Sequence, residues 1–171
     1  MVYDDAMSRP RTIPDSVIFA AILRLITEGG EKVVAFSTVA RATGLSAPSL
    51  VQRYGALPDM IRAALHGEWD RIGALTTQAI ADMPTAAKGP QSLLKALSPA
   101  PSAAVLAASL RDARLRDRAR IWRHTVETAL AQHGGDNEAA AILFAAWQGQ
   151  SVWEGISEKG FRLKDAIKRL G

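Results

Sequence analysis

The stretch from Phe36 to Tyr54, F-S-T-V-A-R-A-T-G-L-S-A-P-S-L-V-Q-R-Y, spells two short helices joined at Thr43-Gly44-Leu45-Ser46. Val39, Ala40 and Thr43 share one face of the first helix, at the i, i+1, i+4 offsets of a helical stripe. Ala40 is small, so a second helix can cross close against it. Gly44 suits a left-handed cap because it has no Cβ to clash at positive φ. Leu45 plugs the corner. Ser46 is a good N-cap, its hydroxyl able to accept from a free backbone N–H at the next helix start. Pro48 falls in that helix's first turn, where a missing N–H does no harm. The second helix, Ala47 to Tyr54, buries Leu50 and Tyr54 and leaves Ala47, Ser49, Gln52 and Arg53 on other faces. A short, mostly polar helix held up by a buried partner has the form of a helix-turn-helix recognition helix.

Outward from this stretch, T12-I-P-D15 opens an earlier helix, with a capping Thr12, Pro14 in the first turn and Asp15 near the positive helix end. Residues 17–26 are apolar on most faces, which predicts a post buried on most sides. Gly29-Gly30 stops it. Ala35 is a poor cap for the helix at Phe36, and Ser37 or Thr38 can serve instead. Arg41 projects away from the stripe, toward a phosphate or open solvent.

These segments resemble the tetracycline-repressor (TetR) family of transcriptional regulators. The first helix, V17-I-F-A-A-I-L-R-L-I-T-E-G29, is similar to the family pattern at Val17-Ile18, Ala20-Ala21, Leu25 and Gly29. V39-A-R-A-T-G-L-S46 looks like the family's Ile-Ala-x-Ala-Ala-Gly-Val-Ser, and S49-L-V-Q-R-Y54 lies where it has Thr-Leu-Tyr-x-His-Phe. Asp59-Met60 stands where the family opens a long fourth helix. The match covers about the first third of the chain without a gap. Val51 replaces a Tyr and Leu57 a Lys that touch phosphate in the family, so the resemblance supplies no contact there; Pro48 replaces a Gly.

The resemblance implies an all-α protein with an N-terminal three-helix helix-turn-helix DNA-binding domain, residues 1–57 with an arm at 1–11, and a C-terminal helical ligand-binding and dimerisation domain, residues 58–171. It implies a palindromic double-stranded DNA operator, a homodimer formed through the last two helices, and a small effector that moves the fourth helix. The DNA-facing set is Arg41, Ser46, Ala47, Pro48, Ser49, Gln52, Arg53 and Tyr54. Gln52 can pair bidentately with an adenine edge, and Ala47 and Pro48 can touch a thymine methyl. Ser49 can bond a phosphate or a base. Arg53, at the family's His position, is expected to hold a phosphate, and Tyr54 sits at the buried edge of the set.

Composition bounds the rest. The 171 residues are about half apolar, enough for a real core, and contain no cysteine, so disulfides and thiolate metal sites are excluded. No stretch approaches the roughly 20 apolar residues of a membrane span, and the acidic start M-V-Y-D-D-A-M does not open a signal peptide, so a cytoplasmic protein without membrane contact is expected. The net charge of +4 is not concentrated in the front segment, where residues 1–57 carry six Lys/Arg against five acids. The excess lies in Arg111, Arg114, Arg116, Arg118, Arg120 and Arg123, which either receive an anionic ligand or form a solvated surface. His66, His124 and His133 lack metal-ligand spacing, and no nucleophile elbow, P-loop or dinucleotide fingerprint occurs. Neither an enzyme nor a cofactor is indicated.

Beyond Pro58, the residues Ile61, Leu65, Trp69, Ile72, Leu75, Ala79 and Met83 recur at three and four, predicting a helix that Pro84 ends. Ser92–Leu97 reads as a short helix. Ser102 caps the next, with Val105, Leu106, Ala108 and Leu110 inward. A stripe of Ile121, Trp122, Thr125, Val126, Ala129 and Leu130 follows, ended by Gly134-Gly135. Asp136 or Asn137 caps a helix mixing small residues with Phe144, Trp147 and Trp153, a composition that suits an oligomer interface or an ordinary core. The expected interface is Ala139, Leu143, Ala146, Trp147, Gln150 and Trp153, with Ile167 from a last helix over Leu163–Leu170. Trp69, Ile72, Leu106, Trp122, Val126, Phe144 and Trp147 are the candidate walls of a largely apolar ligand pocket, or else core. A helical dimer that binds a protein partner and has lost DNA binding is the competing reading, made thinkable by Val51 and Leu57.

Overall fold

The computed structural model describes residues 13–83, 89–98, 101–133, 136–153, 165 and 168. Among these, the regular structure is helical throughout. The chain divides into two compact units, residues 1–64 and 65–171. The division falls inside the fourth helix rather than at its start.

The first unit, the head, holds α1 (Asp15–Gly29), a 3-10 turn (Glu31–Val33), α2 (Phe36–Thr43), α3 (Ala47–Tyr54) and the opening turns of α4 (Leu57–Ala81). Pro14 stands just outside α1 as its N-cap, one step earlier than the first-turn place expected for it, and its carbonyl accepts from Val17 N at 3.1 Å. The apolar run in α1 does not bury all round. Ile18, Ile22 and Ile26 form one inward row at four-residue spacing, whereas Val17 and Ala20 are exposed. Three short partners cannot cover more than one side of a helix. Gly29 is needed because a Cβ there would stand 2.7 Å from Val33 Cγ1.

α2 follows with Ala35 as N-cap. An alanine has no side-chain acceptor, so Thr38 supplies only the return half of a capping box, its Oγ1 accepting from Ala35 N at 2.9 Å. Gly44 ends α2 at φ 75° and ψ 6°, its N–H returning to Ala40 O at 2.9 Å. Ser46 then caps α3, accepting from Ser49 N at 3.2 Å. The head core is aliphatic: the α1 row with Val34, Val39, Leu50, Met60 and Ala64. Met60 and Ala64 extend it into the second turn of α4, which accounts for the place of the division.

The second unit, the body, holds the rest of α4, then α5 (Gly89–Leu97), α6 (Ala103–Ser109), α7 (Ala113–Ala131) and α8 (Asn137–Trp153). Ser102 caps α6, accepting from Val105 N at 3.2 Å, and Asp136 caps α8, accepting from Ala139 N at 2.7 Å. Asp112 caps α7, accepting from Arg114 N at 2.8 Å and Leu115 N at 3.2 Å. The buried face of α7 is Leu115, Trp122, Val126, Ala129 and Leu130, while Ile121 and Thr125 of the expected stripe lie exposed. Leu110, expected inward, is also exposed. Adjacent residues on a helix point about 100° apart, so Ile121 turns away from the face that buries Trp122, whereas Leu110 lies just past α6 as its C-cap. Residues 163 and 170, the limits of the expected last helix, lie outside the described residues, as do the arm at 1–11, Pro84 and Gly134-Gly135; Asp165 and Lys168 are described and helical. No helix among the described residues is long and apolar enough to cross a membrane.

Candidate nucleic-acid interface

α3 has eight residues, and its sole fully buried side chain is Leu50. Pro48, Ser49, Val51, Gln52 and Arg53 are exposed, and Ala47 is half-buried. The helix therefore presents most of its surface outward on a single aliphatic anchor. Its start is open and well ordered by local bonds: Ser46 Oγ receives the Ser49 amide and lies 2.7 Å from Ser49 Oγ. Gln52 extends from the middle turn with its amide bonded to nothing among the described residues. That leaves both its donor and its acceptor for a base edge. Arg41, on α2, is exposed and carries no ion pair among the described residues. Val51 is 45% exposed, an apolar side chain where the resembled family places a phosphate-binding phenol.

The end of α3 departs from expectation. Arg53 is already engaged within the head: its guanidinium donates to Ile13 O at 2.7 Å and pairs with Asp15 Oδ1 at 3.0 Å. Tyr54 is half-buried, its ring 6.3 Å from that of Phe19, and its hydroxyl donates to the same Asp15 oxygen. Burial first, and the bond to Asp15 second, hold the Tyr54 hydroxyl well above the ordinary phenol range, so it stays a donor. Asp15 is the partner that sequence reasoning missed. Its place in the first turn of α1 was legible, but a helix-end acid has its own explanation and does not announce a distant arginine.

In the body, the expected pocket walls come together, but as core. Trp122 is central, its ring 5.9 Å from Trp69, 5.4 Å from Phe144 and 6.3 Å from Trp147. Trp69, Ile72, Trp122, Val126, Phe144 and Trp147 are all buried, and only Leu106 is half-buried. Two of the indole N–H groups have side-chain partners: Trp69 Nε1 donates to Ser109 Oγ and Trp122 Nε1 to Thr76 Oγ1, each at 2.9 Å. Those hydroxyls donate onward to Val105 O at 2.7 Å and Ile72 O at 2.8 Å. Among the described residues no buried side-chain polar atom lacks a partner. A cavity of about 220 Å³ lies between α5 and α8, lined by Gln91, Leu94, Lys95, Ser98, Trp147, Gln150 and Ser151, so Trp147 of the expected walls borders it.

Two faces of α8 separate. Ala140, Leu143, Phe144 and Trp147 turn inward, which moves Leu143 and Trp147 from the expected interface into the core, because their area is already covered within the unit. Ala139, Ile142, Ala146, Gly149 and Trp153 form a second row at alternating three- and four-residue spacing, all of it exposed or half-buried. Gln150 lies beside that row, half-buried, and Ile167 lies outside the described residues. The arginine cluster is largely engaged within the body. Arg118 donates to His66 O at 3.0 Å and pairs with Asp70 at 2.7 Å, Arg116 donates to Leu110 O at 3.0 Å, and Arg123 pairs with Glu127 at 2.7 Å. Of these, Arg118 ties α7 to α4, while the Arg116 and Arg123 contacts are local to α7 and the turn before it. Among the described residues no group of His, Asp or Glu is placed to hold a metal ion.

No family model matches this sequence, and no curated protein matches it. The solved structures are more informative. A transcriptional regulator from Rhodococcus sp. RHA1 superposes with a TM-score of 0.68 at 19% identity, covering 92% of this chain and 93% of that one. A TetR-family protein from Vibrio parahaemolyticus, taken to be a transcriptional regulator, gives 0.64 at 18%, over 91% and 94%. The multidrug-binding protein EbrR, solved with malachite green, gives 0.62 at 20%, over 93% and 96%. The chain has the fold of the TetR-family transcriptional regulators. The likeness runs nearly end to end in both directions, so the fold extends to the body, where the sequence carried no motif.

Proposed function

We propose that the protein is a dimeric, DNA-binding transcriptional repressor that α3 seats in the major groove of a palindromic operator and that a small effector releases. The single observation that supports it most is the state of α3: capped by Ser46, anchored by Leu50 alone, and exposing Pro48, Ser49 and Gln52 on a fold shared with regulators. Gln52 reads a base edge, Ser49 and Arg41 meet phosphates, and Ala47 with Pro48 offer apolar contact to a thymine methyl. The exposed row on α8 supports pairing, since small residues beside Ile142 and Trp153 allow two copies of the helix to approach closely. A dimer presents two recognition helices about 34 Å apart, one DNA turn, so the operator has two inverted half-sites.

Trp122 is enclosed by Trp69, Phe144 and Trp147 and held by its bond to Thr76. The cavity between α5 and α8 is the better seat, and Lys95, Gln91 and Gln150 on its wall favour a small molecule with a polar group over a wholly apolar one. An effector acts only if it binds one arrangement of the dimer more tightly than the other.

Selection of bound duplexes from a random DNA pool by the purified full chain tests the reading. Enrichment of an inverted repeat is expected. Recovery of no preferred sequence at low salt, from a chain that is dimeric in sedimentation, points instead to a protein-binding helical dimer.

A further inference from the structure

The last turn of α3 is tied to the first turn of α1 by neighbouring side chains. Arg53 bridges Ile13 O at 2.7 Å and Asp15 Oδ1 at 3.0 Å, and Tyr54 donates to that same carboxylate oxygen. The Arg53 guanidinium also lies 5.8 Å from the Tyr54 ring centroid, so the two groups brace each other. Asp15 stands where the α1 helix end already favours negative charge. Ile13 O precedes α1 and lies outside its ladder of bonds, which leaves it open to accept from Arg53.

These contacts decide what α3 can do. With Leu50 as its one fully buried side chain, the helix has a pivot and little else against rolling about its own axis. Arg53 and Tyr54 fix its far end at a second place. Recognition through base edges needs side chains held to about 0.5 Å and 10–20°. Ser49 and Gln52 ride on the same short helix, so its roll sets where they point. A guanidinium already paired with a carboxylate also brings little net charge to a phosphate.

We infer that Arg53 is a positioning residue, which acts through Asp15 and Ile13 O to fix the roll of α3 against α1, and that it makes no contact with DNA phosphate. The inference rests on the reading of α3 as the DNA-facing helix. It gives Asp15, an acid on a DNA-binding head, a favourable part in binding, which is the opposite of what its charge alone would give.

That reversal of sign is the test. The full chain, its Arg53→Ala, Arg53→Lys, Asp15→Ala and Asp15→Asn variants, and the Arg53→Ala/Asp15→Ala double variant are titrated against the duplex that the unsubstituted chain selects, over a salt series. Asp15→Ala and Arg53→Ala should each weaken binding by about fivefold, the upper end of an exposed pair's worth. Both should leave the salt slope unchanged. The double variant should be no weaker than either single one, because both remove the same tie. Arg53→Lys should fail to restore binding, since an ammonium cannot bridge both partners. Asp15→Asn keeps an acceptor, so it should lie between Asp15→Ala and the unsubstituted chain. Tighter binding by Asp15→Ala, or a slope lowered by about one in Arg53→Ala with Lys retaining affinity, overturns the inference and makes Arg53 a phosphate ligand. A chain that selects no duplex removes the DNA reading itself, and this inference falls with it.

Discussion

The head and the body bury different things. The head closes on aliphatic side chains from short helices and leaves its polar helix outside. The body holds all four tryptophans of the chain and packs three of them, with Phe144, into one cluster in which the Trp69 and Trp122 indole N–H groups are bonded. In the head, local caps and side-chain ties do much of the positioning, because the core under each short helix is small. In the body, area does it. The same residue types therefore mean different things in the two units: an exposed polar side chain in α3 is a candidate contact, whereas a large aromatic in α7 or α8 is first a packing element.

The largest effect that could break this contrast is at the centre of the aromatic cluster. Trp122→Ala removes a buried indole and leaves the Thr76 hydroxyl without its donor, and should cost about 3–5 kcal/mol in denaturant unfolding followed by circular dichroism. A loss below about 1 kcal/mol would mean that the cluster is loosely packed. The effector seat would then return to the aromatic residues.

Next comes the groove face. Gln52→Ala should relax sequence preference at one base pair of each half-site, by about 1–3 kcal/mol, while the other positions keep theirs. Repeating the random-pool selection with the variant checks it. An unchanged consensus would leave α3 with phosphate contacts alone and make the head a far less specific element than its exposed amide implies.

The two units also differ in how much of them was legible beforehand. The turn at Gly44, the cap at Ser46 and the anchor Leu50 are local: each depends on residues within four positions, and the structure shows all three. The tie between Arg53 and Asp15 spans nearly the whole head and follows from no periodicity. In the body, helix positions were readable from breakers and caps, but faces were not. α8 is apolar nearly all round, so nothing in its pattern separates Leu143, which is core, from Ile142, which is exposed. On α7, Ile121 and Trp122 are adjacent and equally apolar by type, yet only Trp122 is buried. Which neighbour wins is decided by the packed partner, and the sequence of one helix does not carry the shape of another.

A smaller effect sharpens the statement that caps position the head. Ser46→Ala removes the acceptor for Ser49 N and the contact with Ser49 Oγ, and should lower stability by about 1 kcal/mol. Hydrogen exchange of the α3 amides in the full chain reads it locally. Protection should fall in α3 while the α7 and α8 amides hold. Equal loss in both units would show that the chain unfolds as one piece, and that the head has no separate dependence on its caps.

The smallest effect lies at Tyr54. Its folded-state pKa stands above the unfolded value, so the stabilisation it brings is complete below about pH 10 and is lost as pH rises through the folded value. Tyr54→Phe keeps the ring against Phe19 and removes only the hydroxyl's bond to Asp15, which should cost about 1 kcal/mol or less near neutral pH. The gap in stability between the two chains should then narrow on the alkaline side. The phenolate absorbance of the unsubstituted chain minus that of the variant isolates this one tyrosine, and should rise only above pH 10. Asp15→Asn should bring that rise to lower pH without restoring the ordinary value, because burial is the larger cause and remains. A difference signal centred at the ordinary phenol value would place the hydroxyl in water. The end of α3 would then be held by Arg53 alone.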